Sequence, residues 1–214
     1  MDVDKLEACI TPDTVAIMPV HVFGNPCQVD RIREIADKHG LKVIYDSAHA
    51  VGSTYKGKSF LSYGDISATS FHATKLYHSV EGGMLMFPDS GHRKVFDYLK
   101  NFGFENELEV VMPGTNAKMN ELQALMGLQV LGHLDDIIAR RQKIDALYRE
   151  RLARIPGIKV PALPPGNVKF NYAYFPVEIL PEAYGMNRDE LYAAPHAYNV
   201  FTRRYFYPLV PDFA

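Results

Sequence analysis

Apolar and polar positions recur along this chain with periods that assign most of it to strands and helices. Thr14 to Val20 is β-branched and apolar and reads as a core strand. His21 to Pro26 carries turn residues, and Gln28 to His39 then repeats apolar side chains at helical spacing through Val29, Ile32, Ile35 and Ala36. Gly40 is placed to stop that helix, and Leu41 to Tyr45 is a second buried strand ending at Asp46. Strand, helix and strand in so short a compass predict a βαβ unit and a parallel pair. Further on, Tyr55 to Gly64 reads as a turn-rich connection, and Ile66 to Phe71 and Met84 to Phe87 as strands flanking a loop. Gly91 to Phe102 reads as a helix and Glu105 to Pro113 as a surface loop. Met119 to Ala153 is the longest helical region, with a break at Gly132 and an apolar stripe at Leu122, Leu125, Met126, Leu128 and Leu131.

Composition changes at Pro156. Pro161, Pro164, Pro165 and Gly166 make a linker-like passage, which predicts a large α/β domain over 1–155 and a smaller lobe over 156–214. In that lobe Phe170 to Ile179 reads as a strand, Arg188 to Ala197 as a helix that Pro195 must kink or end, and Val200 to Thr202 as a strand. Met1 to Pro12 has room for one or two helical turns.

The chain has 214 residues and is 47% hydrophobic, enough for a sizeable core. A net charge of −2 leaves no electrostatic footprint for nucleic acid or an anionic membrane. Two cysteines, Cys9 and Cys27, do not make a disulfide framework and point to a reducing, cytoplasmic setting. The polar N-terminus has no signal-peptide pattern, and no run is long and apolar enough to span a bilayer.

The chemistry concentrates between Val43 and Gly83. One strand delivers Asp46 at its C-terminal end, and the next delivers Ser70, His72 and then Lys75 into the following loop. Open α/β sheets place ligands at such strand ends. A carboxylate, a hydroxyl and an amine converging there match the needs of pyridoxal 5'-phosphate: the amine forms a Schiff base, the carboxylate pairs with the pyridinium nitrogen, and the hydroxyl helps hold the phosphate. Each residue also has a plainer reading. Lys75 alone would be a solvated loop lysine, Asp46 a loop cap, His49 a structural histidine and His72 a packing residue.

Four motifs in order carry a resemblance: Asp46-Ser-Ala-His49-Ala, Ser70-Phe-His-Ala-Thr-Lys75, Glu81-Gly-Gly, and Gly114-Thr-Asn116-Ala-Lys-Met-Asn-Glu-Leu-Gln. With them the chain resembles the DegT/DnrJ/EryC1/StrS family of nucleotide-sugar aminotransferases over essentially its whole length. The resemblance implies a fold-type I, aspartate aminotransferase-like α/β architecture with a mixed, mostly parallel sheet, here a partial large domain with part of the small lobe. It makes Lys75 the Schiff-base lysine and proton shuttle, Asp46 the partner of the ring nitrogen, His49 a neighbour of Asp46 or of the ring hydroxyl, and Ser70 a phosphate or Asp46-side contact. Asn116 becomes the residue that reaches a second subunit's cofactor phosphate, which implies a homodimer with shared sites; otherwise it is a turn residue and a candidate N-cap. His72 and the Arg203, Arg204, Tyr205 and Tyr207 stretch are candidates for substrate, the latter for a diphosphate and a base or sugar. No metal is implied.

The implied reaction moves an amino group, from glutamate or another amino acid, to a nucleotide-linked keto sugar used in cell-surface polysaccharide or secondary-metabolite sugars. The family's 3-dehydratases, the alternative chemistry on a keto sugar, carry histidine where this chain has Lys75. The family's Gly-Ser/Thr turn at a helix N-terminus and its ring-stacking aromatic have no counterpart before Asp46. An internal fragment is therefore expected, one that binds the cofactor weakly by itself, and a non-catalytic remnant or subunit-interaction module is the alternative from another class.

Overall fold

The computed structural model describes residues 1–209, 212 and 213. Four strands make the main sheet in the order Ala16–Ile17, Lys42–Asp46, Ile66–Ser70, Gly83–Met86. The first three are parallel and the last is antiparallel, so the sheet is mixed and mostly parallel as expected. The first strand is shorter than its apolar run because Pro19 has no N–H to offer a ladder. The run still tracks its neighbour: Pro19 O accepts the Asp46 N–H at 2.9 Å, and the His21 N–H donates to Asp46 O at 3.0 Å.

Helix α1, Val29–His39, buries Val29, Ile32, Ile35 and Ala36, the stripe its period specifies. Gly40 ends it in the left-handed region at φ 64, where a side chain would be strained, and the Leu41 N–H returns to Ala36 O at 2.8 Å. The core joins that stripe to Val43, Tyr45 and Phe60, each worth about 1.5–3 kcal/mol on full burial. The connection after Asp46 is not only turns. Thr54–Tyr55 and Lys58–Ser59 pair as a ribbon around Lys56 and Gly57, both with positive φ, the backbone that two-residue hairpins require.

Helix α2 is Arg93–Lys100, and the segment expected as a loop after it contains a small hairpin, Phe104–Asn106 with Glu109–Val110. The long helical region divides at Gly132 into α3, Glu121–Gly132, and α4, Leu134–Leu152. Asn120, not Asn116, caps α3: its side chain accepts the Gln123 N–H and Gln123 answers at the Asn120 N–H. Apolar side chains of α3 stand at the surface, Leu122 and Leu128 most of all.

The chain folds as two compact units, Met1–Gln142 with Pro164–Tyr174, and Lys143–Leu163 with Phe175–Ala214. The compositional boundary near residue 155 falls within the first segment of the second unit. No strand runs from Phe170 to Ile179. Val168–Lys169 pairs with Thr54–Tyr55 and Glu178–Ile179 with Ile158–Lys159, while the residues between are irregular. Tyr172 at φ 52 and the missing N–H of Pro176 are incompatible with a continuous ladder. Pro195 acts as expected, ending Arg188–Ala193 and opening a 3₁₀ turn over Ala194–Tyr198. Val200 to Thr202 is not a strand: Asn199 turns the chain at φ 57 and exposed residues follow.

His21 is wholly buried, stacked on Tyr45 with ring centroids 4.7 Å apart and against Phe60 at 4.6 Å. Its Nδ1 accepts the Cys27 N–H at 3.1 Å. Burial brings its pKa from 6.5 down to about 4, with Asp46 opposing. As pH falls below 6.5 the unfolded chain takes up this proton and the folded chain does not. Stability is therefore full above pH 6.5 and lost progressively towards pH 4, by about 3 kcal/mol for this residue. Urea unfolding measured across that range should show the slope. In His21→Phe the slope should flatten, even though the lost acceptor for Cys27 lowers stability at pH 7.

Candidate active site

The ends of two parallel strands build the site. Asp46 pairs in register with Ala68, so Asp46 and Ser70 emerge at the same end of the sheet. A buried polar brace fixes the chain after Asp46: Ser47 Oγ and Ser67 Oγ lie 2.7 Å apart, the Ser47 N–H donates to Ala68 O, and Thr69 Oγ1 donates to Ser47 O. Asp46 Oδ1 accepts the Ala48 N–H at 2.9 Å, which orients the carboxylate and leaves Oδ2 outside that turn.

Lys75 sits in a tightly closed loop. The Phe71 N–H donates to Gly82 O, the Ser79 N–H to Phe71 O and the Lys75 N–H to His72 O. Phe71 and Leu76 are buried beneath it, and Phe71 meets Tyr77 edge-on at 4.7 Å. The Lys75 amine is half-buried, and burial holds its pKa below the ordinary 10.5 while Asp46 pulls it up. His49 completes the group. Burial, and secondarily the Lys75 charge, bring its pKa down to about 4, with Asp46 opposing. Its ring is neutral near pH 7, and Nδ1 accepts the Phe23 N–H at 3.0 Å. Lys75, Asp46 and His49 thus share one electrostatic environment.

A narrow crevice, too tight to hold a water molecule, is lined by Lys75, His49, Tyr77 and Tyr174. Tyr174 packs on His49 with ring centroids 4.5 Å apart, and Phe23 lies 5.6 Å from Tyr174. Periodicity marks neither aromatic as part of a site, because both lie in irregular backbone. A larger cavity of about 1050 Å³ lies elsewhere, among Gly83–Met86, α2 and Thr115–Met119, and neither Asp46 nor Lys75 lines it.

Other candidates are engaged locally. Ser70 Oγ accepts the His72 N–H at 3.3 Å. His72 turns into its own loop, Nδ1 lying 2.8 Å from Thr74 Oγ1 and Nε2 3.5 Å from Glu81 Oε1. Asn116 is exposed, bridges to Asn101 and accepts from Lys118 Nζ at 2.7 Å. In the second unit Arg204 bonds Asp189 at 3.4 Å and lies over the rings of Tyr192 and Tyr207, with Arg188 also over Tyr207. Tyr205 packs beside Phe206, and Arg203 is exposed. Among the described residues no group of three or more His, Cys, Asp or Glu is placed to hold a metal ion. No helix among them is long and apolar enough to cross a membrane.

The donor set fits pyridoxal phosphate: an amine with a depressed pKa, an anchored carboxylate and a neutral imidazole under an aromatic cover. Fold and donor set together define the architecture of the fold-type I, pyridoxal-phosphate-dependent transferases. The chain belongs to the DegT/DnrJ/EryC1/StrS aminotransferase family, whose model matches residues 1–212. It is 43% identical over 209 residues to a dTDP-4-amino-4,6-dideoxy-D-glucose transaminase of Shigella dysenteriae, covering 98% of this chain and 56% of that one. It is 40% identical over 157 residues to the GDP-perosamine synthase of Caulobacter vibrioides, covering 72% of this chain and 42% of that one. The crystal structure of DesI in the presence of its TDP-sugar product superposes with a TM-score of 0.89 at 39% identity, over 97% of this chain and 53% of that one. The chain thus spans about half the length of the relatives it matches.

Proposed function

We propose that the protein carrying this chain is a pyridoxal-phosphate-dependent transaminase of a nucleotide-linked keto sugar, with Lys75 and Asp46 as its reacting pair. The observation that carries this reading is the half-buried Lys75, in the loop after Ile66–Ser70, lining one crevice with His49 beside the strand that ends at Asp46. The donor amino acid, glutamate in this reading, gives up its amino group and leaves as a 2-keto acid. The sugar carbonyl becomes a carbon bearing that amine, so no external oxidant or reductant is required.

When bound, the cofactor supplies a carbonyl that exchanges amines and a ring that accepts electron density. Lys75 would hold the cofactor through its Nζ, and its free amine would be the group that takes up and returns the substrate's proton. Its depressed pKa keeps more of the amine neutral near pH 7 than an exposed lysine would have. Asp46 would pair with the ring nitrogen and favour its protonated form, and the Ala48 N–H aims the carboxylate. His49 and Tyr174 wall the cleft and limit water around the amine. Ser70 is the proposed phosphate contact on this chain. Asn116 is the proposed contact to a second copy's phosphate, and the exposed apolar face of α3 supports a homodimeric partner. Arg203, Arg204, Tyr205 and Tyr207 are proposed for the nucleotide end of the substrate, with the Arg204–Tyr207 stack in support. His72, tied to Thr74 and Glu81, keeps only a loop-closing part.

The 4-amino-4,6-dideoxyglucose product named for the Shigella relative, and the TDP-sugar bound to DesI, favour a dTDP-linked 4-keto-6-deoxy sugar. The test is incubation of the protein with pyridoxal phosphate, glutamate and that sugar, followed by mass spectrometry. An aminated nucleotide sugar together with 2-ketoglutarate is the expected result. Neither product appearing, with cofactor demonstrably bound to the protein, would overturn the reading.

A further inference from the structure

Asn171 is wholly buried although it is polar. Its Nδ2 donates to two carbonyls at once, His49 O and Val51 O, both at 2.8 Å, and its Oδ1 accepts the Ala173 N–H at 3.1 Å. Both amide hydrogens and one oxygen lone pair are thereby used. The bonds join segments 122 and 120 residues apart in sequence. A third segment packs flush against the same amide. A Cβ on Gly24 would lie 2.7 Å from Asn171 Oδ1 and 3.0 Å from His49 O. The neighbouring Phe23 N–H is the donor that His49 Nδ1 accepts.

One side chain therefore sets the path of the loop after Asp46 and the start of the segment that carries Tyr174. Tyr174 and His49 lie against each other and line the cleft with Lys75. We propose that Asn171 is a positioning residue of this site, acting through His49 and Tyr174 rather than on Asp46 or Lys75 directly. The proposal rests on the reading of Asp46 and Lys75 as the reacting pair. An apolar residue of similar size in its place would leave the His49 and Val51 carbonyls without these donors, inside a packed region. The loop and the Tyr174 segment would separate, and His49 would gain water.

The test reads His49 without any cofactor. In the wild-type chain its imidazole, facing the Lys75 amine and the Asp46 carboxylate and covered by Tyr174, is expected to titrate at about 4 by NMR. In Asn171→Leu the titration is expected to move up towards 6.5, the direction lost burial dictates. Tyr174→Leu should move it the same way and serves as the control that the ring is the cover. Urea unfolding records global stability separately, and a merely structural role for Asn171 would lower stability while leaving His49 where it was. A folded Asn171→Leu chain with His49 still at about 4, beside a shifted Tyr174→Leu, would overturn the proposal. Should Asn171→Leu not fold, Asn171→Ser takes its place. Its hydroxyl is one bond shorter than the amide and cannot hold both carbonyls, so an upward titration is expected and an unchanged one overturns the proposal. Borohydride trapping of pyridoxal phosphate on Lys75 tests the underlying reading independently, so the two failures are distinguishable.

Discussion

Lys75→Ala is expected to abolish covalent attachment of pyridoxal phosphate and to reduce sugar transamination by at least about 10⁴-fold, because it removes both the attachment point and the proton carrier. Stability should change by no more than about 1 kcal/mol, since the half-buried amine lies beside the cleft and not in the core of Val43, Tyr45 and Phe60. Borohydride reduction of the cofactor-loaded protein, followed by peptide mapping, locates the attachment. The tag is expected on the peptide holding Lys75. A tag on Lys56, Lys58 or Lys118 would refute the assignment, and the structure says why those three are unsuited. Lys56 bonds Asp30 at 2.7 Å, Lys118 bonds Asn116 and lies over the Phe102 ring, and Lys58 is exposed on the ribbon. Of these, Lys56 has its pKa raised by its Asp30 partner, whereas burial lowers that of Lys75.

Asp46→Asn should lower turnover by about 10³-fold, the scale on which deleting one preorganised electrostatic partner acts. The substitution preserves shape and, through its carbonyl oxygen, the bond from the Ala48 N–H, so the loop brace survives and only the charge is lost. Cofactor affinity should fall far less than turnover, since Lys75 remains. A second measurement separates electrostatics from misfolding. Asp46 opposes the downward shifts of both Lys75 and His49, so without its charge His49 should titrate lower still. Near-normal turnover in a folded variant would reduce Asp46 to the cap of an Asx turn.

Much of this site is legible in the chain itself. Asp46 ends an apolar strand and Lys75 follows another, and the regular alternation of buried side chains in Lys42–Asp46 and Ile66–Ser70 is a local property that needs no knowledge of the rest. The same holds for the stripe of α1, the stop at Gly40, the break at Gly132 and the helix end at Pro195. Each is set by the backbone preferences or burial period of a few neighbouring residues. Motif order is enough to identify the family.

What local pattern does not encode is which irregular segments meet. Phe170 to Ile179 has the composition of a strand, yet the Ala173 N–H goes to Asn171 Oδ1 and Ala173 O accepts from the Arg141 guanidinium. Asn171 spends its amide on carbonyls 120 and more residues away, and Tyr172 and Pro176 break the ladder. His72 stands beside the lysine in sequence but bonds to its own loop, while Tyr174, distant in sequence, covers His49. The sequence alone determined the periodic elements, the strands ending at Asp46 and before Lys75 and the helix α1 that precedes them, because strand and helix periods report burial one residue at a time. Only the tertiary structure decided the walls of the cleft, because buried polar groups such as Asn171 must find partners wherever the folded chain brings them, and nothing periodic marks them in advance.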